Sequence, residues 1–298
     1  HTHKEILIEK GRNLTVEISG KINKNARYTF FIYHVPVEQE NTNTLIQTFD
    51  IPKIELQNAD RVKLLRMSIK SIIATNPDAQ IVLLTNKSFG TKLSDMNISL
   101  LFPDVDSSLT MYSRAKTYNT IVQKDIVGGK VVFMDSDTMV LRSLSNLRTN
   151  LSNSITLTRR FAPNLMPINE SLMIINSHRE YAKDFFSHLM GTYEWIKNDN
   201  VIKGIVGLDL RRWRGGILSL NAICPGIRNT TFLDSNKDIT ILPSEKYHHT
   251  PPSLSAIKYA ITGEEIFSIH LKGNVKDRKS NLEKVENLLD EYIQAYRK

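Results

Sequence analysis

Short apolar runs of four to six residues alternate along this chain with longer amphipathic stretches, and that alternation narrows the fold more than any other feature. A short run that is apolar at every position suits a strand buried on both faces. A 3.6-residue periodicity suits a helix laid over such strands. Thr29-Phe30-Phe31-Ile32-Tyr33 reads as a buried strand. Ala59 to Asn76 reads as a helix with Val62, Leu65, Ile69, Ile72 and Ile73 on one face, stopped by Asn76-Pro77-Asp78. Gln80 to Thr85 is the next strand. Thr110 to Val122 is a helix with Met111, Ala115, Tyr118 and Val122 toward the core. Gly128-Gly129 then turns the chain into the strand Lys130 to Met134. Further strands are expected at Ser154 to Thr158, Leu172 to Ile175, Ile239 to Leu242 and Glu265 to Ile269. The pattern predicts an α/β domain over residues 27–277. Residues 1–26 are polar and weakly periodic, and read as an appended hairpin or arm. Residues 278–298 form an amphipathic helix packed on the domain, with Leu282, Val285, Leu289, Tyr292 and Tyr296 at helical spacing.

Composition excludes several classes. The chain has 298 residues, 41% hydrophobic and 23% charged, which is enough apolar material for a large core. No apolar run approaches the roughly 20 residues of a membrane helix. A single cysteine, Cys224, excludes an internal disulfide framework and a cysteine-based zinc site, and favours a reducing, cytoplasmic compartment. Five Asn-x-Ser/Thr sequons, at Asn13, Asn97, Asn150, Asn169 and Asn229, are read as chance in a chain rich in these residues. The net charge of +8 favours anionic partners such as phosphates or an acidic membrane surface, so peripheral membrane association is an expectation. One dense basic run stands at Arg211, Arg212 and Arg214. No RNA-recognition, zinc-finger or basic-zipper pattern occurs, so no nucleic-acid partner is expected.

Chemistry concentrates in two segments. In Val131-Val132-Phe133-Met134-Asp135-Ser136-Asp137-Thr138, four apolar residues make a buried strand and two carboxylates emerge at its C-terminal end. That is the end where open α/β sheets bind ligands. Two carboxylates one residue apart can grip a hard divalent cation, and the cation can bridge a diphosphate. Asp104-Val105-Asp106 has the same spacing, but it follows Pro103 in a Ser-rich turn and reads as a solvated loop. The second segment is Ser268-Ile269-His270-Leu271-Lys272-Gly273-Asn274-Val275-Lys276. Imidazole is a suitable third ligand for Mn²⁺-like ions. Gly273 lets backbone N–H groups approach a phosphate, and Lys276 can neutralise it.

An apolar strand, Asp-x-Asp, and a late His-x-x-Gly-x-x-Lys together resemble the GT-A-fold, nucleotide-sugar-dependent glycosyltransferases, most of all their glycogenin-like and mannosyl- or galactosyltransferase groups. Supporting segments fall in the same order: Met67 to Ile72 with Asn76-Pro77-Asp78 and Ile81 to Thr85; Tyr112-Ser113-Arg114-Ala115-Lys116; and Pro167 to Met173, where Glu170 intrudes into a donor-sugar strand. The resemblance covers roughly residues 27–277. It implies a GT-A, Rossmann-like single domain with a mixed central sheet. It implies a Mn²⁺ or Mg²⁺ ion held by Asp135, Asp137 and His270, and a nucleotide-sugar donor, UDP-linked in preference to GDP-linked. Arg114, Lys116, Ser136, Asn169, Gly273 and Lys276 would line the donor, and Tyr33 or His34 would stack on its base. The acceptor would be a hydroxyl of a glycan or glycoprotein.

One departure stands out. The glycogenin-like group carries Asp-Gln before Leu-Asn at a helix start; here Gly216 and Ile217 precede Leu220-Asn221. The acceptor contacts therefore do not carry over. Retention of the anomeric configuration is favoured over inversion; inversion would need a carboxylate base, with Asp209 and Glu170 as candidates. Trp213 could offer a platform to an acceptor sugar. Two other readings compete: a haloacid-dehalogenase-like phosphatase with Asp135 as nucleophile, and a non-catalytic carbohydrate-binding domain.

Overall fold

The computed structural model of the chain describes residues 2–9, 12–19, 21–35, 58–106, 109–147, 153–159, 167–200, 215–224, 238–263, 265–271 and 279–296. In chain order these form β1 (Thr2–Glu9), β2 (Arg12–Ser19), β3 (Tyr28–Tyr33), α1 (Asn58–Thr75), β4 (Gln80–Leu84), α2 (Lys87–Gly90), β5 (Ser99–Phe102), α3 (Thr110–Gln123), β6 (Lys130–Asp135), β7 (Thr138–Val140), β8 (Ile155–Arg159), β9 (Ile168–Asn176), α4 (Glu180–Asn198), α5 (Gly215–Ile223), β10 (Ile239–Pro243), α6 (Ser244–Tyr247), α7 (Leu254–Thr262), β11 (Ser268–His270) and α8 (Lys279–Tyr296).

One mixed sheet organises the fold, in the order β1-β2-β5-β4-β3-β6-β9-β8-β10. β5, β4, β3 and β6 run parallel, β9 runs antiparallel between β6 and β8, and β10 is parallel to β8. The antiparallel hairpin of β1 and β2 extends the sheet beyond β5 through β2. A separate two-stranded ribbon pairs β7 with β11.

The period of two along each strand sorts side chains between two helical layers. Phe31, Tyr33, Val82, Val131, Phe133, Met173 and Ile175 face one way and pack with Tyr118 and Ile121 of α3, Phe186 and Leu189 of α4, and Leu220 of α5. Phe30, Ile32, Leu83, Val132, Met134 and Ile174 face the other way and meet Leu65, Ile69 and Ile72 of α1. The Phe133 ring stacks on Tyr118, with centroids 3.9 Å apart. Each such side chain, fully buried, contributes about 1.5–3 kcal/mol. Because β3 and β6 are covered on both faces, Phe30 to Ile32 and Val131 to Met134 are unbroken apolar runs.

The apolar stripe on α1 is broader than the sequence reading placed it. Leu64 and Met67 are also buried, against Ile257 and Ala260 of α7 and Leu282, Val285 and Leu289 of α8. α1 also carries the serines that hold β7. Ser68 Oγ donates to the Thr138 carbonyl at 2.6 Å, and Val140 N–H donates to Ser71 Oγ at 2.9 Å. At Gly128 an added Cβ would overlap the Lys24 carbonyl, and at Gly129 those of Ala26 and Arg27, so only glycine fits where the chain enters β6.

Two strands differ from the expected spans. β9 begins at Ile168 rather than Leu172, because the ladder with β8 resumes past a register shift at Leu157/Thr158 and pairs Asn169 with Thr158. Backbone pairing there is indifferent to the polar side chains that concealed it. β11 is Ser268–His270 rather than residues 265–269; its partner β7 pairs Ser268 with Val140 and His270 with Thr138. Asp104 and Asp106 lie exposed in a loop. No described helix is long and apolar enough to cross a membrane.

Candidate functional site

Asp135 is the last residue of β6, paired in register with Tyr33 of β3 at the C-terminal ends of the parallel strands. The chain turns through Ser136 and Asp137 and re-enters regular structure as β7. Because β11 lies antiparallel on β7, His270 stands opposite Thr138, and Leu271 N–H donates to the Asp137 carbonyl at 2.9 Å. Strand pairing thus carries His270 across more than a hundred residues to the two aspartates. One ligand atom from each of Asp135, Asp137 and His270 lies within 4.8 Å of the others. His270 Nε2 is 2.9 Å from Asp137 Oδ1 and 3.8 Å from Asp135 Oδ2.

This geometry fits a divalent cation. Adjacent ligands of an octahedral ion bound at about 2.1 Å lie about 3 Å apart, which matches the His270–Asp137 spacing. The imidazole is 1% exposed, and its Nε2 makes no hydrogen bond of acceptable angle even to Asp137 Oδ1. A buried nitrogen close to a carboxylate oxygen but misaligned for a hydrogen bond is what two lone pairs aimed at one ion produce.

Arg114 completes the acidic side. Asp135 lies on the same sheet face as Phe133, toward α3, and there the guanidinium meets it. Arg114 Nη1 donates to Asp135 Oδ1 at 2.8 Å, and Nη2 pairs with Glu170 Oε1. Burial opposes the charge on Arg114, but Glu170 and Asp135 more than offset it, and the pKa is raised. The guanidinium takes one oxygen of Asp135 and leaves Oδ2 turned toward His270. It is 5% exposed, so the solvated helix face that this residue could have occupied is not where it sits. α3 is covered by α4 and α5 as well as by the sheet.

Glu170 faces α5. A Cβ at position 216 would overlap Glu170 Oε2, so no other residue fits there with the carboxylate in place. The intruding Glu170 and the departure at Gly216 are two halves of one arrangement. The carboxylate occupies the volume that a side chain at 216 would fill, beside the first turn of a helix, where negative charge is favoured.

The other expected donor-site residues are placed as follows. Tyr33 is buried edge-on to Tyr118, and its hydroxyl donates to the Thr110 carbonyl at 3.3 Å. Burial raises its pKa, against a smaller opposing effect of Arg114. The half-buried His34 lies against the Phe89 ring, with Nδ1 3.0 Å from Ser136 Oγ. Asn169 is 5% exposed, and its Oδ1 accepts from Ser171 N–H and Oγ. Lys116 is half-buried and, two positions from Arg114 on α3, does not share its face. Asp209, Trp213, Gly273 and Lys276, with the basic run Arg211, Arg212 and Arg214, fall outside the described residues. Cys224 is buried, which pushes its thiol up to about 12 and removes it from thiolate chemistry near neutral pH.

One residue at the site went unremarked in the sequence. His248, 1% exposed, places Nε2 3.1 Å from His270 Nδ1. It lies in a polar stretch after α6, where no periodicity points to it.

No protein-family model matches the chain, and no curated protein sequence matches it. Among solved structures it is similar to the glycosyltransferase GlyE of Streptococcus pneumoniae, with a TM-score of 0.51 and 13% identity over 91% of this chain and 64% of that one. It is also similar to the galactosyltransferase LgtC in complex with donor and acceptor sugar analogues, with a TM-score of 0.50 and 14% identity over 88% of this chain and 95% of that one. A third is the bifunctional glycosyltransferase WbbM, with a TM-score of 0.50 and 16% identity over 92% of this chain and 51% of that one. This chain therefore spans less than two thirds of GlyE's length. At these identities the likeness is one of fold: a mixed α/β domain of the GT-A type.

Proposed function

We propose that this protein is a divalent-cation-dependent glycosyltransferase. It moves a sugar from a nucleoside diphosphate donor, UDP-linked in preference to GDP-linked, to a hydroxyl of a glycan or glycoprotein. The observation that carries this reading is the convergence of Asp135, Asp137 and His270 at the C-terminal end of β6, in a fold shared with LgtC and GlyE. These three residues would hold Mn²⁺ or Mg²⁺. A cation bound there would supply countercharge to the diphosphate leaving group.

The chain's own residues do the rest. Arg114 fixes Asp135 and neutralises part of the acidic cluster, so that donor phosphates do not meet uncompensated carboxylates. Gly273 and Lys276 follow His270 closely in sequence and are assigned to the diphosphate. Ser136 and Asn169 are assigned to the donor sugar, and Tyr33 and His34 to the base side. Retention is favoured, with the departing phosphate taking the acceptor proton. Glu170 and Asp209 are the carboxylates that could act on the reacting sugar or acceptor. The +8 charge supports peripheral association with an anionic membrane from the cytoplasmic side.

The test is slow donor hydrolysis without acceptor. In Mn²⁺, one UDP-sugar of a panel should release UDP, and excess EDTA should stop it. Release unaffected by EDTA would contradict the cation assignment. If no sugar nucleotide is cleaved while a simple phosphate monoester is, the phosphatase reading takes its place.

A further inference from the structure

We propose that His248 is a positioning residue for the cation site: it accepts a hydrogen bond from His270 Nδ1–H and thereby holds the His270 Nε2 lone pair on the Asp135–Asp137 side. The inference rests on the cation-site reading above and deepens it. The protons can be assigned along a short chain of groups. Ser268 Oγ lies 2.8 Å from the Tyr247 carbonyl, which can only accept, so the hydroxyl proton goes there. Ser268 Oγ must then accept from its other neighbour, His248 Nδ1, at 3.2 Å. A neutral His248 with its proton on Nδ1 has a lone pair on Nε2. That lone pair faces His270 Nδ1 at 3.1 Å, so His270 carries its proton on Nδ1. Nε2 of His270 is then a bare donor at the aspartates, as a metal ligand requires.

The backbone locks this arrangement from both sides. His249 N–H donates to the Ser268 carbonyl at 2.9 Å, and His270 N–H donates to the His249 carbonyl at 2.7 Å. β11 is thus clasped between β7 and the 246–249 segment, and neither ring can drift along the other. The rings lie 4.9 Å apart at 41°, tilted rather than stacked, which suits an in-plane N···N hydrogen bond. Both residues are 1% exposed, so the pair is shut off from bulk solvent.

The experiment measures Mn²⁺ binding to the intact protein by electron paramagnetic resonance of free Mn²⁺, for the wild type, His248→Leu and His248→Gln. Leucine fills the volume without an acceptor; glutamine can offer an amide oxygen near the Nε2 position. The expected result is an affinity about 10–100-fold lower in His248→Leu, most of it restored in His248→Gln, with similar metal-free melting temperatures for the two variants. Wild-type affinity in His248→Leu, or an equal loss in both variants, overturns the positioning role while the cation site stands. No Mn²⁺ binding by the wild type sinks the cation site and this inference together. If the leucine variant does not fold, ¹⁵N-histidine NMR of the Mg²⁺-loaded wild type decides. A proton on His248 Nδ1 alone supports the assignment; a proton on His248 Nε2 overturns it.

Discussion

Replacing Asp137 by alanine is expected to abolish cation-dependent donor binding while leaving the protein folded. Asp137 supplies the oxygen nearest to His270 Nε2, at 2.9 Å. Without it the site keeps one carboxylate, already shared with Arg114, and one imidazole. Loss of a residue that only orients a ligand costs about 10–100-fold in metal affinity, so loss of a ligand itself should cost at least about 100-fold. The fold should survive because the Asp137 backbone carbonyl, which accepts from Leu271 N–H just after β11, is kept in the variant. Removing one of two adjacent carboxylates also relieves like-charge repulsion. The check is Mn²⁺ binding alongside thermal unfolding followed by circular dichroism. Wild-type Mn²⁺ affinity in Asp137→Ala would remove Asp137 from the ligand set.

Arg114→Ala should have the largest effect on stability of any change at the site. The guanidinium is buried and is the cationic partner of both Asp135 and Glu170. Breaking a buried pair by deleting one partner costs about 3–5 kcal/mol, because the remaining charge stays desolvated and uncompensated. That corresponds to a fall in melting temperature on the order of 10 °C for a domain of this size. Glu170→Ala in the same chain should recover part of the loss, since it removes one of the two carboxylates that the guanidinium pairs with. Urea unfolding of wild type, single and double variants measures this directly. An unchanged midpoint in Arg114→Ala would show that the three charges are solvated in solution.

The parts of this architecture that were readable from the sequence are those with a local physical signature. A strand covered on both faces has no polar alternative, so Phe30 to Ile32 and Val131 to Met134 announce themselves as unbroken apolar runs, and the carboxylates after Met134 fall at a sheet end. The polar start of β9 was not readable from hydropathy and entered only through the resemblance over Pro167 to Met173, because Asn169 and Glu170 sit in a ladder that depends on backbone pairing and on the irregularity opposite them in β8. The burial of Arg114 was hidden for another reason. α3 is covered on several sides, by the sheet, α4 and α5, so polar residues outside its apolar stripe, such as Ser113, Arg114 and Thr117, are buried as well. Glu170 and Gly216 are far apart in the chain, and only the packing of α5 on β9 shows that one makes room for the other. His248 is the extreme case. Nothing around it in sequence is periodic, and its place is set by the clasp of β11 between β7 and residues 246–249.

The most direct test of the account is thermal unfolding of the wild-type protein with UDP, GDP and dTDP and their sugars, each with and without Mn²⁺. A ligand that binds only the native state at a hundred times its dissociation constant stabilises by about 2.7 kcal/mol, a shift of several degrees. Stabilisation by a uridine nucleotide is expected when Mn²⁺ is present, with its loss in excess EDTA. Equal stabilisation with and without the ion, or none by any nucleotide under either condition, would contradict a cation-bridged nucleotide site at Asp135, Asp137 and His270.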